Sequence, residues 1–256
     1  MSKVLFFDID GTLLDKDLKI PEGVLKELKR LQEIGYYTFI ASGRPLAYIP
    51  DEILNGNFDG YILCNGGHVE LNKDMISEER IESEMIRDLI EVLEANDCEY
   101  NFETATDCYI DSRFVEFLNF FRGCNINNDK LKVDFDLDDV INRTLKIEVN
   151  TDKKEIIEDY IKDKFYYDSH GTANSFEICN KKISKAYGVQ KVLDKLNISH
   201  EDSYAFGDGL NDIQMIEYVG HGIAMGNACD ELKAIADEVI GHVDENGLEN
   251  YLKMLK

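Results

Sequence analysis

An α/β fold, with a Rossmann-like doubly wound parallel sheet as its core and an inserted α+β cap domain, is predicted by three features of this 256-residue chain. Short apolar runs alternate with helix-period segments near both ends of the sequence. These runs close on polar turns rich in glycine, as strands of a parallel sheet do where they hand the chain to a loop. Beyond about residue 80 the alternation lapses, and it returns at Lys185. With 44 % hydrophobic and 31 % charged residues, the chain has the composition of a globular protein and the length for one to two domains.

Lys3 to Phe7, with its VLFF core, reads as a buried strand running into Asp8-Ile9-Asp10-Gly11-Thr12. Pro21 opens a helix whose Val24, Leu25, Leu28, Leu31 and Ile34 recur at helical spacing, and Gly35 stops it. Tyr36 to Ala41 is the next strand and ends at Ser42-Gly43-Arg44, which completes a βαβ unit with the right-handed crossover such units take. Tyr61 to Cys64 is a third strand, followed by Asn65-Gly66-Gly67. In the insertion, Ile86, Leu89, Ile90 and Leu93 mark an amphipathic helix. Strand-like Glu99 to Phe102 and Cys108 to Ile110 follow, then a helix near Phe114 to Phe121, a strand at Leu145 to Val149, a helix over 153–164 and a strand at Ser175 to Cys179. From Lys185 a helix runs to Leu196, and strands at Ser203 to Phe206 and Gly222 to Ala224 alternate with helices near Asp212 to Tyr218 and Asp230 to Ala236, before a last strand and helix. The expected domains are therefore a core of residues 1–80 and 185–256 and a cap of 81–184.

Charge and cysteine usage narrow the function. Lys plus Arg number 28 against 51 Asp plus Glu, a formal charge of −23, which argues against nucleic acid and against anionic membrane surfaces. An anionic substrate would be repelled by that field, so its site must supply local positive charge. The six cysteines form no CxxC pair, and the start of the chain lacks the longer apolar stretch of a signal peptide, so a cytosolic protein is expected. Asp134, Asp136 and Asp138 alternate like a calcium loop, but Asp139 and Leu145 stand where such a loop needs Gly and Glu. Gly207 and Gly209 fail as a dinucleotide fingerprint because Asp212 replaces the third glycine.

Three strand ends deliver polar side chains: Asp8 with Asp10, then Ser42, then Asp208 with Asn211 and Asp212. Ligands of open α/β sheets bind outside the carboxyl ends of the strands, so these groups should converge. Four carboxylates a few ångströms apart cannot all stay ionised without a cation, and an oxygen-only set favours Mg²⁺. Lys185 adds fixed positive charge, and the Asp-Gly and Ser-Gly turns offer backbone N–H groups to phosphate oxygens. The chemistry is that of a Mg²⁺ and phosphate site.

These four motifs, in this order, resemble those of the haloacid dehalogenase-like phosphatases, and Gly222-Ile223-Ala224-Met225-Gly226-Asn227-Ala228 with Ala236-Asp237 resembles the tail of their Cof-type branch. The resemblance covers roughly residues 3–70 and 177–250. It implies Asp8 as the nucleophile that takes the phosphoryl group, Asp10 as general acid and then base, Ser42 as a hydrogen-bond partner of the phosphoryl group, and Lys185 as its neutralising cation. It implies Mg²⁺ held by Asp8, the backbone carbonyl of Asp10, and Asp208, with Asp212 close behind. Gly43, Arg44 and Asn211 are candidates for substrate contact, a surface ion pair being the alternative for Arg44. An insertion between Ser42 and Lys185 resembles the C2-type cap of Cof-type sugar phosphatases and of phosphomannomutases. One departure stands out: Lys182-Ile183-Ser184-Lys185-Ala186 lacks the two glycines common around the motif lysine. The expected substrate is a small phosphorylated metabolite, such as a sugar phosphate, and the protein a monomer or homodimer. A phosphomutase, or a regulator that binds without turnover, remains open as an alternative. So do the roles of Lys182 and His170.

Overall fold

A computed structural model describes residues 2–123, 128–168 and 174–256. The chain runs β1 (Lys3–Phe7), α1 (Glu22–Glu33), β2 (Tyr36–Ala41), α2 (Asp51–Leu54), β3 (Gly60–Leu63), β4 (His68–Leu71) and β5 (Asp74–Glu78). It continues through α3 (Ser83–Ala95), β6 (Glu99–Glu103), β7 (Cys108–Ile110), α4 (Val115–Gly123), β8 (Leu131–Lys132), α5 (Leu137–Ile141), β9 (Lys146–Asn150), α6 (Lys154–Ile161), β10 (Phe165–Asp168) and β11 (Ser175–Asn180). It ends with α7 (Lys185–Leu196), β12 (Ser203–Gly207), α8 (Ile213–Tyr218), β13 (His221–Ala224), α9 (Asp230–Ile235), β14 (Glu238–Val239) and α10 (Gly247–Leu252). Two compact units result: Met1–Gly43, Pro50–Ser77 and Ser184–Lys256 in the first, Arg44–Ile49 and Glu78–Ile183 in the second.

The first unit is an eight-stranded sheet of order β14-β13-β12-β1-β2-β3-β4-β5. β1 lies parallel between β12 (Phe7 opposite Phe206) and β2 (Phe7 opposite Ile40), so the strand order reverses around β1 and leaves a crevice at its carboxyl end. Alternate residues of β1 feed two layers. Val4 and Phe6 join Val189, Val192 and Leu193 of α7 and Met215 and Ile216 of α8. On the other side Phe7 stacks on Phe206 at 4.9 Å, and Phe206 meets Tyr251 of α10 edge-on. Each fully buried aromatic contributes about 1.5–3 kcal/mol through the area it takes out of water.

The sheet is mostly parallel, as the apolar runs predict, but its β4 and β5 edge was not foreseen. β4 pairs antiparallel with β3, Gly60 opposite Leu71. β4 is only four residues, His68–Leu71, and folds back on β3 after the turn at Asn65-Gly66-Gly67 instead of through a helical crossover. The third strand ends at Leu63 rather than Cys64, because Cys64 and Asn65 turn into positive φ (50° and 53°).

The second unit is a six-stranded sheet of order β10-β11-β9-β6-β7-β8, antiparallel except for β7 with β8. Ile147, Val149, Phe176 and Ile178 share a core with Ile86, Leu89 and Leu93 of α3 and Ile157 and Ile161 of α6. Residues 44–49 and 78–80 fall in this unit rather than with the first. The Leu46 amide donates to the Ala105 carbonyl at 3.0 Å, and the Tyr48 ring packs on Phe121 at 5.5 Å. The Asp134–Asp138 alternation has a local explanation: Asp136 caps α5, accepting from the Asp138 and Asp139 amides. Among the described residues no helix is long and apolar enough to cross a membrane.

Candidate active site

Lys185 is the first residue of α7 and only 1 % exposed. Ser184 caps that helix, its hydroxyl accepting from the Tyr187 amide at 3.1 Å. The helix start sits close against the turn after β3: a Cβ on Gly66, whose φ is +98°, would lie 2.2 Å from the Ser184 carbonyl oxygen. So placed, the ammonium of Lys185 donates to Asp8 Oδ1 at 2.7 Å and to Asp212 Oδ1 at 2.6 Å.

Asp8 follows β1 directly, its amide still donating to the Phe206 carbonyl. The strand does not continue to Asp10. Residues 9–14 turn back, with the amides of Leu13 and Leu14 both donating to the Ile9 carbonyl. Strand alternation therefore does not set the relation of Asp10 to Asp8, and Asp10 is exposed while Asp8 is buried. Gly11 makes the turn possible at φ +77°, and a Cβ there would lie 2.2 Å from Asp208 Oδ2.

The turn after β12 holds the remaining acids. Asp212 is fully buried, and its Oδ2 accepts from the amides of Asp208 and Gly209 at 3.0 Å each. Asp208 accepts from the Thr12 hydroxyl at 3.1 Å. Thr12 and Asn227 lay in the motifs but were given no role by sequence reasoning. The Asn227 side-chain amide donates to the Gly11 carbonyl at 2.8 Å and reaches Asp208 Oδ2 at 3.4 Å, while its oxygen accepts from the Val243 amide at 3.1 Å. It ties the turn of the first strand to that of the twelfth, a role only the folded chain reveals.

Electrostatics explain what this cluster lacks. Burial pushes the Asp8 carboxyl up to about 8 against the pull of the Lys185 ammonium. Burial, then the charge of Asp212, raises Asp208 to about 6. For Lys185 burial works against the charge, but Asp212 and Asp8 outweigh it and hold the amine above its ordinary value. The one ammonium contacts two of the three carboxylates, Asp8 and Asp212, and does not offset the burial of Asp8. Asp8, Asp208 and Asp212 each offer an oxygen within 4.8 Å of the others, a set a hard divalent cation fits in charge and in donor type. The Asp10 carboxylate is not in that set, but its charge adds to the rise of Asp208, and the contact expected of Asp10 with a metal is through its backbone carbonyl.

Ser42, buried at the end of β2, donates its amide to the Ile62 carbonyl at 2.8 Å, and its own carbonyl accepts from Asn65. Gly43 closes the same segment of the first unit. Arg44 belongs to the second unit, where its guanidinium donates to the Tyr48 carbonyl at 2.8 Å. Asn211 is half-buried on the turn that carries Asp208 and Asp212. His170 lies outside the described residues.

The model of the haloacid dehalogenase-like hydrolase family matches residues 5–252. The chain belongs to the haloacid dehalogenase-like hydrolases. It is 33 % identical over 99 % of its length to "Putative phosphatase YkrA" of Bacillus subtilis (strain 168), covering 98 % of that protein. It is 26 % identical to "5-amino-6-(5-phospho-D-ribitylamino)uracil phosphatase YitU" of the same organism, over 98 % of this chain and 96 % of the relative. Among solved structures it is similar to the subclass IIB sugar phosphatase BT4131, with a TM-score of 0.83, 25 % identity and 98 % of each chain covered. This member of the hydrolase family is a phosphatase of the Cof type.

Proposed function

We propose that this phosphatase hydrolyses small phosphorylated metabolites, sugar phosphates among them, with Mg²⁺ and through an aspartyl-phosphate intermediate, and that its second unit governs substrate choice. The observation that carries the reading is the buried Lys185 shared by Asp8 and Asp212 beside Asp208. Asp8, the backbone carbonyl of Asp10 and Asp208, with Asp212 behind them, would hold the cation, which when bound supplies charge neutralisation for the transferring phosphoryl group. Asp8 attacks phosphorus, the ester P–O bond breaks, and Asp10 gives its proton to the leaving oxygen. Asp10 then takes a proton from the water that attacks the aspartyl phosphate, releasing inorganic phosphate and free Asp8. Lys185 and the Ser42 hydroxyl stabilise charge on the phosphoryl oxygens as it grows, the largest usual term in such reactions. Gly43, Arg44 and Asn211 remain the candidate substrate contacts, the last on the turn of Asp208.

The test is a phosphate-release assay across phosphorylated metabolites, with Mg²⁺ and with excess EDTA. Release should occur only with the metal. Asp8→Asn should abolish it, and Asp10→Asn should slow it by about 100- to 10,000-fold. With a substrate whose leaving group needs no proton, Asp10→Asn should accumulate phosphoenzyme. Transfer to a second sugar hydroxyl would instead mark a phosphomutase, and full turnover in EDTA would overturn the metal assignment.

A further inference from the structure

Glycine leaves the peptides on either side of it freer to rotate than any other residue does, and Gly11, at φ +77°, lies between two that matter to the site. The one before it carries the Asp10 carbonyl, expected at the metal, and the one after it carries the Gly11 carbonyl. β1 has ended at Phe7, so its ladder does not hold them.

Asn227 supplies a hold from outside the strand. Its side-chain nitrogen donates to the Gly11 carbonyl at 2.8 Å and reaches Asp208 Oδ2 at 3.4 Å, so one NH2 group spans both turns. Its oxygen accepts from the Val243 amide at 3.1 Å, and because an amide N–H can only donate, this contact fixes which end of the side chain faces Asp208. Asp208 Oδ1 accepts from the Thr12 hydroxyl at 3.1 Å, on the same turn as Gly11. The backbone around Asn227 is anchored in turn: the amides of Met225, Gly226 and Cys229 donate to the carbonyls of Gly207, Gly241 and Asp208 at 3.0–3.1 Å. A Cβ on Gly226 would lie 2.7 Å from the His242 nitrogen, so this segment is pressed against the chain that brings Val243. Further out, the Lys16 amide donates to Asp244 Oδ1 at 3.1 Å, a second tie between that chain and the loop after β1.

We propose that Asn227 is a positioning residue for the metal, holding the peptides around Gly11 and one oxygen of Asp208 in a fixed relation so that the Asp10 carbonyl and the Asp208 carboxylate are ordered before the cation arrives. The inference rests on the Mg²⁺ reading above and deepens it. A carboxylate oxygen has room for a second partner, so the bond from Asn227 leaves Asp208 Oδ2 able to ligate. Donors ordered in advance do not have to be ordered on binding, and affinity gains by that difference.

Thermal unfolding of the full chain against Mg²⁺ concentration tests it, with turnover of acetyl phosphate read alongside. In Asn227→Ala the Mg²⁺ concentration for half-maximal protection should rise by about 10-fold or more, the usual loss when an orienting partner of a metal ligand is removed. Turnover should fall at low Mg²⁺ and recover as Mg²⁺ is raised, with KM for acetyl phosphate little changed. A residue that merely stabilised the fold would lower the metal-free midpoint and leave the required Mg²⁺ concentration where it was, and that result overturns the inference. Val243→Pro decides the matter if Asn227→Ala does not fold. Val243 opens a one-turn helix (Val243–Glu245) after an extended His242 (ψ 151°), a place that suits proline, and the change deletes the amide that orients Asn227. Its half-protection point should rise by about 3-fold, on the scale of one neutral hydrogen bond, and an unmoved point there is equally decisive against the inference. Wild type that gains no protection from Mg²⁺ ends the metal reading and the inference with it, whereas protection without phosphate release from acetyl phosphate ends the phosphatase reading alone.

Discussion

Both oxygens of Asp212 are committed inside the protein, one to Lys185 and the other to the Asp208 and Gly209 amides. Asp208, four positions earlier on the same turn, accepts among the described residues from Thr12 and, at longer range, Asn227, and burial, then the charge of Asp212, raises its carboxyl. Removing the two should therefore have opposite consequences. Asp212→Ala strands two amides and half the coordination of a buried ammonium, and should cost roughly 3–5 kcal/mol in urea unfolding. Asp208→Ala relieves repulsion and should change stability by less than about 1 kcal/mol, while abolishing the protection that added Mg²⁺ gives against thermal unfolding. Retained Mg²⁺ protection in Asp208→Ala would remove that residue from the metal site.

Three neighbouring strands, β6, β9 and β11, bury one lysine among glutamates, and this makes the second unit's stability depend on pH. Glu103 rests at about 7 in the fold against an ordinary value of 4.5. An acid raised by folding binds its proton more readily when folded. Its contribution is complete below about pH 4.5 and lost as pH climbs toward 7. Glu103→Gln carries no charge to desolvate, and Lys146 keeps Glu177 at 2.6 Å. Chemical unfolding at pH 5 and at pH 8 should show wild type losing on the order of 3 kcal/mol more than the variant between them. Parallel pH profiles would mean that Glu103 is ionised at little cost in the folded chain. None of this was legible beforehand: residues 103, 146 and 177 carry no common motif, and they become neighbours only through strand pairing.

Across the molecule as a whole, a formal charge of −23 opposes the approach of any phosphate ester. Screening should help. As ionic strength rises from 0.01 to 0.15 M at fixed Mg²⁺, the Debye length falls from about 30 Å to about 8 Å. KM for a monophosphate should fall by at least about 2-fold, with kcat little changed; a KM that rises with salt would show that local positive charge governs approach instead. Local pattern alone sufficed for the α/β class, most elements of the first unit, the strand-end positions of Asp8, Ser42 and Asp208, and the place of Lys185 at a helix start. Apolar period and turn glycines act over a few residues, and a parallel sheet always delivers its strand ends to one edge. β4 escaped that reasoning because its four residues, His68–Leu71, follow a tight turn and pair back antiparallel on β3, outside the βαβ pattern. The rest required distant pairings. Asn227 beside Gly11, residues 44–49 joining the second unit, and the polar face around Lys146 exist because folding closes long loops and fixes register, and neither is written in the spacing of neighbouring residues.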